Sequence, residues 1–334
     1  MKRIKIAQIG TSINSHGCQI WKSLNKQTDV FEVVGYAFPE NEREKFPDKM
    51  KYFDEYREMT VDEILNDPEI EAVVVETEEI YLTKYALKVA RAGKHLHMEK
   101  PGGLELADFE ELISILKAKS LTFSTGYMYR FNPKIREALQ KIKNGELGKI
   151  YSVEAHMSCK HTPDIRQWLE AFPSGMMFFL GCHLIDLIYQ IQGEPDEVIP
   201  FSCSTGIEDI YTKDYGMVVY KYPNGVSFAK TCDNECGGFL RRQLVICGEK
   251  GTIEIKPLEV GVDGGQYTVS SECFNDSGKK WSEPWETSQS EIHDRYDEMV
   301  RNFAELVRGK KNPYSYDYEL NLYKLILKSC GMEI

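Results

Sequence analysis

The sequence predicts a two-domain protein in which an α/β domain with a doubly wound parallel sheet precedes an α+β domain with a large, mostly antiparallel open sheet. The chain has 334 residues, about the length of two domains. Over the first 125 residues short apolar runs alternate with helical patterns, which is typical of a parallel sheet. From about Lys149 strand-like runs follow one another with turn signals between them. We therefore place the boundary near Gly126 and the domains at 1–125 and 126–334.

The elements of the first domain follow from local patterns. Short apolar runs bounded by Gly or Pro are typical of buried parallel strands, and they occur at 4–9, 31–38, 72–75, 95–99 and 121–125. Helical patterns occupy 17–24, 83–92 and 106–119, and a capping box at Thr60 and Glu63 opens a short helix through Leu65. Because ligands of doubly wound sheets bind at the carboxyl ends of strands, the candidate loops are 10–17, 38–41, 77–79 and 99–103.

The second domain shows strand-like runs separated by turn signals such as Pro223-Asn224-Gly225. The predicted strands are 150–156, 217–222, 226–231, 243–246 and 251–255, and the predicted helices are 181–191, 290–307 and 317–328.

Composition narrows the class of protein. The formal net charge of -11 argues against nucleic-acid binding, which needs a basic face. No apolar run approaches the roughly 20 residues of a membrane span, and Lys5 and Gln8 interrupt the N-terminal apolar stretch, so we expect a cytoplasmic protein. Nine irregularly spaced cysteines do not form a disulfide framework. Cys232 and Cys236, even with His161 and His183, lack the second close pair of a structural zinc site, so we expect reduced thiols and no metal.

Three loops carry candidate chemistry. Gly10 to Ile13 lie between a strand and a helix, but Ser12 stands at the second glycine of a dinucleotide fingerprint, so a phosphate loop and an ordinary β–α turn both remain open. Phe38 replaces the acidic residue expected at the end of the second strand; it either stacks on adenine or closes the strand. Lys100, at a strand's carboxyl end, can polarise a hydroxyl or carbonyl group, the alternative being a surface lysine beside Glu99.

Five motifs in order make a family recognisable: Ala92-Gly-Lys-His95 before Glu99-Lys100-Pro101, Gly126 to Pro133, Gly145-Glu-Leu-Gly148, Gly181-Cys-His-Leu-Ile-Asp186, and Gly248 to Thr252. With these motifs the chain resembles the Gfo/Idh/MocA oxidoreductases, such as glucose–fructose oxidoreductase and inositol dehydrogenase, over essentially its whole length. The resemblance implies a Rossmann domain with NAD or NADP, and hydride transfer at a secondary alcohol carbon of a sugar, polyol or glycoside. It also implies a homo-oligomer, a dimer or tetramer, formed through the open sheets.

The resemblance implies roles for individual residues. Lys100 would contact the nicotinamide ribose and the substrate, His183 would be the general acid/base, and Asp186 would bind substrate hydroxyls and orient the site. Arg130 would bind a substrate oxygen or form a salt bridge. The implied cofactor-binding set is Gly10, Thr11, Ser12, Ile13, Phe38, Thr77, Glu79, Glu99 and Lys100. Imidazole suits proton transfer near neutral pH, and Asp186 lies three residues after His183 on the same helix face. A buried structural histidine is the alternative.

The chain departs from the family at positions that would carry the reaction and bind the cofactor. Phe179 stands where an Asp often completes the set with Lys and His, Thr77-Glu78-Glu79 replaces the usual T-P-N loop, and Leu82 replaces a common His. Three interpretations stay open: a divergent dehydrogenase, an enzyme using transient oxidation for elimination or epimerisation, and a catalytically silent or non-redox protein that binds a sugar or dinucleotide. Carboxylates near a nicotinamide would favour its cationic form. Arg166 and Trp168 could reach the cofactor or substrate, although for Trp168 a core role is the plainer interpretation.

Overall fold

The computed structural model describes residues 2–275 and 283–334. It divides into two compact units: Met1–Tyr127 with Tyr296–Tyr323, and Met128–Arg295 with Lys324–Ile334. The sequence placed a single boundary near Gly126, whereas the structure adds a segment from near the C-terminus to the first unit. Ser23 Oγ donates to Asp297 Oδ1 at 2.7 Å, one of the contacts that hold this segment there. An amphipathic helical pattern shows that one face is buried but not which domain buries it.

The first unit is built on a parallel five-stranded sheet flanked by helices, which confirms the predicted α/β class. Its elements are β1 (Ile4–Ile9), α1 (Gly17–Lys26), β2 (Phe31–Ala37), α2 (Glu42–Lys45), α3 (Pro47–Met50), α4 (Val61–Asn66), β3 (Ala72–Val75), α5 (Leu82–Arg91), β4 (His95–Met98), α6 (Leu106–Ala118) and β5 (Phe123–Thr125). The strand order is β2-β1-β3-β4-β5, with every pair parallel among the described residues. The order reverses between β1 and β3, the point at which such sheets bind ligands.

The second unit contains an eight-stranded sheet, which confirms the predicted mostly antiparallel domain. Its elements are α7 (Pro133–Lys143), β6 (Ile150–Ser158), α8 (Pro163–Trp168), α9 (Cys182–Gln192), β7 (Glu197–Cys203), β8 (Tyr215–Tyr222), β9 (Gly225–Cys232), β10 (Gln243–Gly248), β11 (Gly251–Ile255), β12 (Val260–Val262), β13 (Gly265–Tyr267), β14 (Val269–Phe274) and β15 (Glu286–Gln289). The order is β15-β14-β11-β10-β6-β9-β8-β7, and β12 and β13 form a separate hairpin. Within the described parts of this sheet β6 and β9 pair in parallel and the other neighbours are antiparallel.

Two helices close the chain, α10 (Asp297–Val307) and α11 (Tyr316–Ser329). The sequence predicted a helix from 290, but the backbone bridges Gln266 and His293 before α10 begins. Within the described residues no helix is both long enough and apolar enough to cross a membrane.

The strand β7 was not predicted, because its polar ends and Pro200 obscure the pattern. It lies at an edge of the sheet, where a proline that donates no hydrogen bond is tolerated. Helix α7 was also not predicted, although Asn132 caps it by accepting from the amides of Lys134 and Ile135 at 3.0 and 3.2 Å. The short strands β12 to β15 likewise gave no apolar run long enough to recognise.

Candidate active site

The loop after β1 lies at the reversal of strand order in the first unit. Gly10 has a φ of 88°, and a Cβ there would lie 2.5 Å from Thr77 Cγ2, so only glycine fits. Thr11 and Ser12 are completely buried. The Thr11 amide donates to Glu42 Oε2 at 2.9 Å, and the Ser12 amide donates to the Glu76 carbonyl at 2.9 Å. These two amides are therefore bonded within the protein, while Ile13 is 48% exposed.

Three buried carboxyl groups surround this loop: Glu42, Glu76 and Glu79. Burial raises the pKa of Glu42 to about 8 and that of Glu79 to about 7, with Lys100 opposing the shift at Glu79. Burial, followed by the charge of Glu99, also raises the pKa of Glu76. A protonated carboxyl group is neutral, so its attraction for a cationic nicotinamide is weaker than the sequence suggested.

The strand β4 ends in a buried ion pair. Glu99 Oε1 and Lys100 Nζ are 3.6 Å apart, and their side chains are 3% and 4% exposed. Gly126 allows this arrangement, because a Cβ there would lie 2.3 Å from Glu99 Oε2. The structure thus places Lys100 at the carboxyl end of the strand, buried beside Glu99 rather than on the surface.

Phe38 follows β2 and belongs to an aromatic cluster with Trp21, Tyr36 and Phe53. Its ring centroid is 4.7 Å from that of Tyr36 and 4.9 Å from that of Phe53. Phe38 is only partly buried, so the aromatic cluster covers part of its ring and the rest stays accessible. Both interpretations made from the sequence remain open.

The first unit offers groups that fit a dinucleotide. At the N-terminus of α1 the Gly17 amide donates to Ser15 Oγ at 3.3 Å, so a phosphate bound there would have to replace this contact. Lys49 Nζ donates to the carbonyls of Ser12 and Ser15, which places a positive charge beside the loop. Within the described residues both Glu76 side-chain oxygens are buried and have no hydrogen-bond partner, which suits a site that a bound group completes. Lys49 was not predicted from the sequence, because nothing local links it to a loop 37 residues away.

In the second unit His183 lies in the first turn of α9, directly after a π-helical turn at Met177–Gly181. Such turns often occur at functional sites. The His183 side chain is buried, and its ring meets that of Tyr129 edge to face with centroids 5.2 Å apart. The Tyr129 hydroxyl donates to Glu259 Oε2, and burial raises the pKa of Tyr129 to about 12. This phenol therefore stays protonated near neutral pH and holds one side of the imidazole.

Asp186 and Arg130 form a buried bidentate ion pair within the second unit. Arg130 Nε donates to Asp186 Oδ1 and Oδ2 at 3.1 Å each, and Nη2 donates to Oδ1 at 2.8 Å. Gln190 Nε2 also donates to Asp186 Oδ2, at 2.8 Å. The structure thus brings together two of the residues proposed to contact substrate and shows that Arg130 holds the Asp186 carboxylate.

Phe179 and Trp168 pack in an aromatic group with Phe172. The Trp168 ring is perpendicular to that of Phe179, with centroids 5.1 Å apart, and lies 4.7 Å from that of Phe172. Arg166 is completely buried, and its Nη2 donates to Asp214 Oδ2 at 3.0 Å. Trp168 is thus packed against aromatic rings although it is only half-buried, and Arg166 is held by a buried ion pair.

Two family models match the chain. The model described as oxidoreductase family, NAD-binding Rossmann fold, matches residues 4–127, and the model of the GFO/IDH/MocA C-terminal domain matches residues 135–254. Together the two matches cover well over half of the chain.

Similar proteins include oxidoreductases and dehydrogenases. The oxidoreductase YhhX of Escherichia coli is 34% identical over 41% of this chain and 40% of its own length. A trans-1,2-dihydrobenzene-1,2-diol dehydrogenase of Bos taurus is 25% identical over 61% of each chain. The matched segments thus span about half the length of these relatives. A solved UDP-N-acetylglucosamine 3-dehydrogenase from Acidithiobacillus ferrooxidans has the same fold, with a TM-score of 0.75, 16% identity and 99% and 98% of the two chains covered.

Proposed function

The chain belongs to the GFO/IDH/MocA family of NAD-binding oxidoreductases, and from this we propose that it is a dehydrogenase acting on a secondary alcohol carbon of a sugar, polyol or glycoside. NAD or NADP would accept or supply the hydride. The observation that carries the proposal is the buried Glu99–Lys100 pair at the carboxyl end of β4. A buried lysine at the ligand-binding edge of such a sheet is costly for stability and is characteristic of functional sites.

We propose that the cofactor-binding residues and Lys100 act from the first unit and that His183 transfers the proton from the second. In the first, Gly10 to Ile13 and Thr77 would border the pyrophosphate, with Phe38, Glu79 and Glu99 completing the cofactor set. Lys100 would stabilise the negative charge that develops on the substrate oxygen. In the second, His183 would take or return the hydroxyl proton. The edge-to-face contact with Tyr129 would hold its imidazole ring in place. Arg130 would orient Asp186 towards substrate hydroxyls.

The test is turnover with a panel of sugars, polyols and glycosides, using both nicotinamide cofactors. We expect Lys100→Met and His183→Asn each to lower kcat/KM by about a hundredfold or more. Lys94→Met is the matched control, since Lys94 is equally buried, precedes the same strand, and donates to the carbonyls of Asp67 and Ile70 at 2.7 and 2.8 Å. It should be less stable but should retain turnover. Activity that survives both Lys100→Met and His183→Asn would refute the site.

A second candidate function is a catalytically silent protein that binds a sugar or dinucleotide. Phe179 favours it, because an aromatic side chain in a packed cluster cannot relay a proton. So do the Thr11 and Ser12 amides, which are already bonded within the protein. Titration calorimetry with oxidised and reduced cofactors separates the two: binding without turnover across the panel would support this function.

We also propose that the chain forms a homo-oligomer through the open sheet. Apolar side chains form a continuous row across β7, β8 and β9, in which Ile199 pairs with Val219 and Val219 pairs with Phe228. Ile199 and the nearby Phe201 are 37% and 55% exposed. A second copy would cover this apolar face, as exposed apolar patches of this kind are typical of interfaces.

A further inference from the structure

The ends of β6 and β9 bring together three side chains that no part of the proposed dehydrogenase uses. Cys159 and His161 follow β6, and Asp233 follows β9. The two strands are parallel neighbours, so their carboxyl ends meet at one edge of the sheet. Backbone hydrogen bonds continue beyond the strands, from the Cys159 amide to the Cys232 carbonyl at 3.0 Å and from the His161 amide to the Asp233 carbonyl at 3.1 Å.

The three side chains converge on one point. Cys159 Sγ lies 3.5 Å from His161 Nε2, 3.6 Å from His161 Nδ1, and 3.5 Å from Asp233 Oδ1. His161 Nδ1 is also in contact with Asp233 Oδ1. A sulfur atom at such similar distances from both ring nitrogens lies along the lone-pair direction of neither, which is poor geometry for a hydrogen bond.

The three side chains are close enough to share one zinc ion. With Zn–S bonds of about 2.3 Å and Zn–N and Zn–O bonds of about 2.0–2.1 Å, the sulfur–nitrogen and sulfur–oxygen edges of a tetrahedron are about 3.5–3.6 Å long. The distance from Cys159 Sγ to Asp233 Oδ1 matches such an edge. The His161 ring would turn on binding so that one nitrogen faces the ion and leaves its contact with Asp233 Oδ1, because an imidazole ligand binds through a single nitrogen. A thiolate, a carboxylate and a neutral imidazole together balance a divalent charge.

An independent observation also points to a ligand. The Asp233 side chain is completely buried, and its Oδ2 has no hydrogen-bond partner among residues 2–275 and 283–334. An unpaired carboxylate oxygen in the interior is unfavourable unless something binds it. Arg242 lies nearby and donates to the Ser158 carbonyl at 3.4 Å, but Glu259 binds its guanidinium at 3.0 Å.

We propose that Cys159, His161 and Asp233 bind a zinc ion and leave its fourth position open to water or another small ligand. Sulfur and imidazole donors exclude Mg²⁺ and Ca²⁺, which require oxygen ligands. The His161 side chain is 28% exposed, so the ion has a path to solvent. The proposed hydride transfer and NAD(P) binding use none of these three side chains, although Arg242 also donates to the Tyr129 hydroxyl at 3.4 Å. The site differs from the Cys232–Cys236 pair considered from the sequence.

The test is titration of the full chain with Co²⁺, a spectroscopic substitute for zinc, followed by displacement with Zn²⁺. We expect one equivalent, a thiolate-to-cobalt charge-transfer band and the intense visible absorption of a tetrahedral site. Cys159→Ser should abolish the charge-transfer band, and His161→Asn should weaken zinc binding on the order of a hundredfold or more in chelator competition. Cys236→Ser is the control, because Cys236 is exposed on the same segment after β9.

His161→Asn is a second test that is less prone to misfolding. His161 is partly exposed, so its replacement disturbs the packing less than a change at the buried Cys159. Circular dichroism of each metal-free variant confirms that it is folded. The proposal is overturned if the chain binds no stoichiometric Co²⁺, if the band is absent, or if Cys236→Ser removes it as completely as Cys159→Ser.

Discussion

Replacing Arg130 with methionine tests whether the buried pair with Asp186 positions the second unit's site. The two side chains are 3% and 1% exposed and share three contacts of 2.8 to 3.1 Å. Removing one partner of such a pair costs about 3–5 kcal/mol, because the other charge is left buried. For a unit of this size that corresponds to a fall in Tm of roughly 6–20 °C. Arg130→Met should therefore be strongly destabilising.

Removing both charges should restore most of the stability. The double variant Arg130→Met/Asp186→Leu replaces the ion pair with apolar groups, a change that is often neutral or stabilising. Arg241→Met is the control: the Arg241 side chain is 56% exposed and pairs with Glu235 at the surface, where such a pair contributes about 0–1 kcal/mol. Chemical denaturation followed by circular dichroism measures all three. The reasoning fails if Arg130→Met is as mild as Arg241→Met, or if the double variant is no more stable than the single one.

Two further predictions concern the first unit. The raised pKa of Glu42, about 8, means that the folded state retains a proton that the unfolded state loses, so stability declines as pH rises from about 4.5 to 8. Glu42→Gln should therefore raise Tm at pH 8 but have little effect below pH 5. Gly10→Ala should abolish nucleotide binding. It should also destabilise the folded protein by more than the roughly 1–2 kcal/mol of left-handed backbone strain, because the new Cβ clashes with Thr77. Gly93→Ala is the control: Gly93 has a φ of 78° with open space around it, so this variant has the strain without the clash.

Thermal scans between pH 5 and 9 measure the first effect, with exposed Glu44→Gln as control. A Glu42→Gln gain that stays constant across the range would mean that Glu42 does not titrate there. Calorimetry with NAD+ and NADP+ measures the second, and nucleotide binding by Gly10→Ala equal to that of Gly93→Ala would show that the Gly10 turn does not border the cofactor.

The first unit could be predicted well because its information is local. All five strands of its parallel sheet were recognised from short apolar runs, because a strand that is buried on both faces has a nearly continuous apolar sequence. The same is true of Lys100, whose place at the end of β4 follows from the adjacent residues. The second unit was harder to predict, because β7 has polar ends and includes Pro200, and because β12, β13 and β15 are short.

The two-domain class, the parallel sheet and the family could all be inferred from the amino-acid sequence. Only the tertiary structure showed that Asp186 is held by Arg130, that Glu42 is buried against the Thr11 amide, and which unit the segment after Tyr296 joins. It also brought Cys159 to Asp233 across 74 residues. These facts depend on which strands become neighbours and on how far burial desolvates a charge, and neither quantity is encoded in a local pattern of residues.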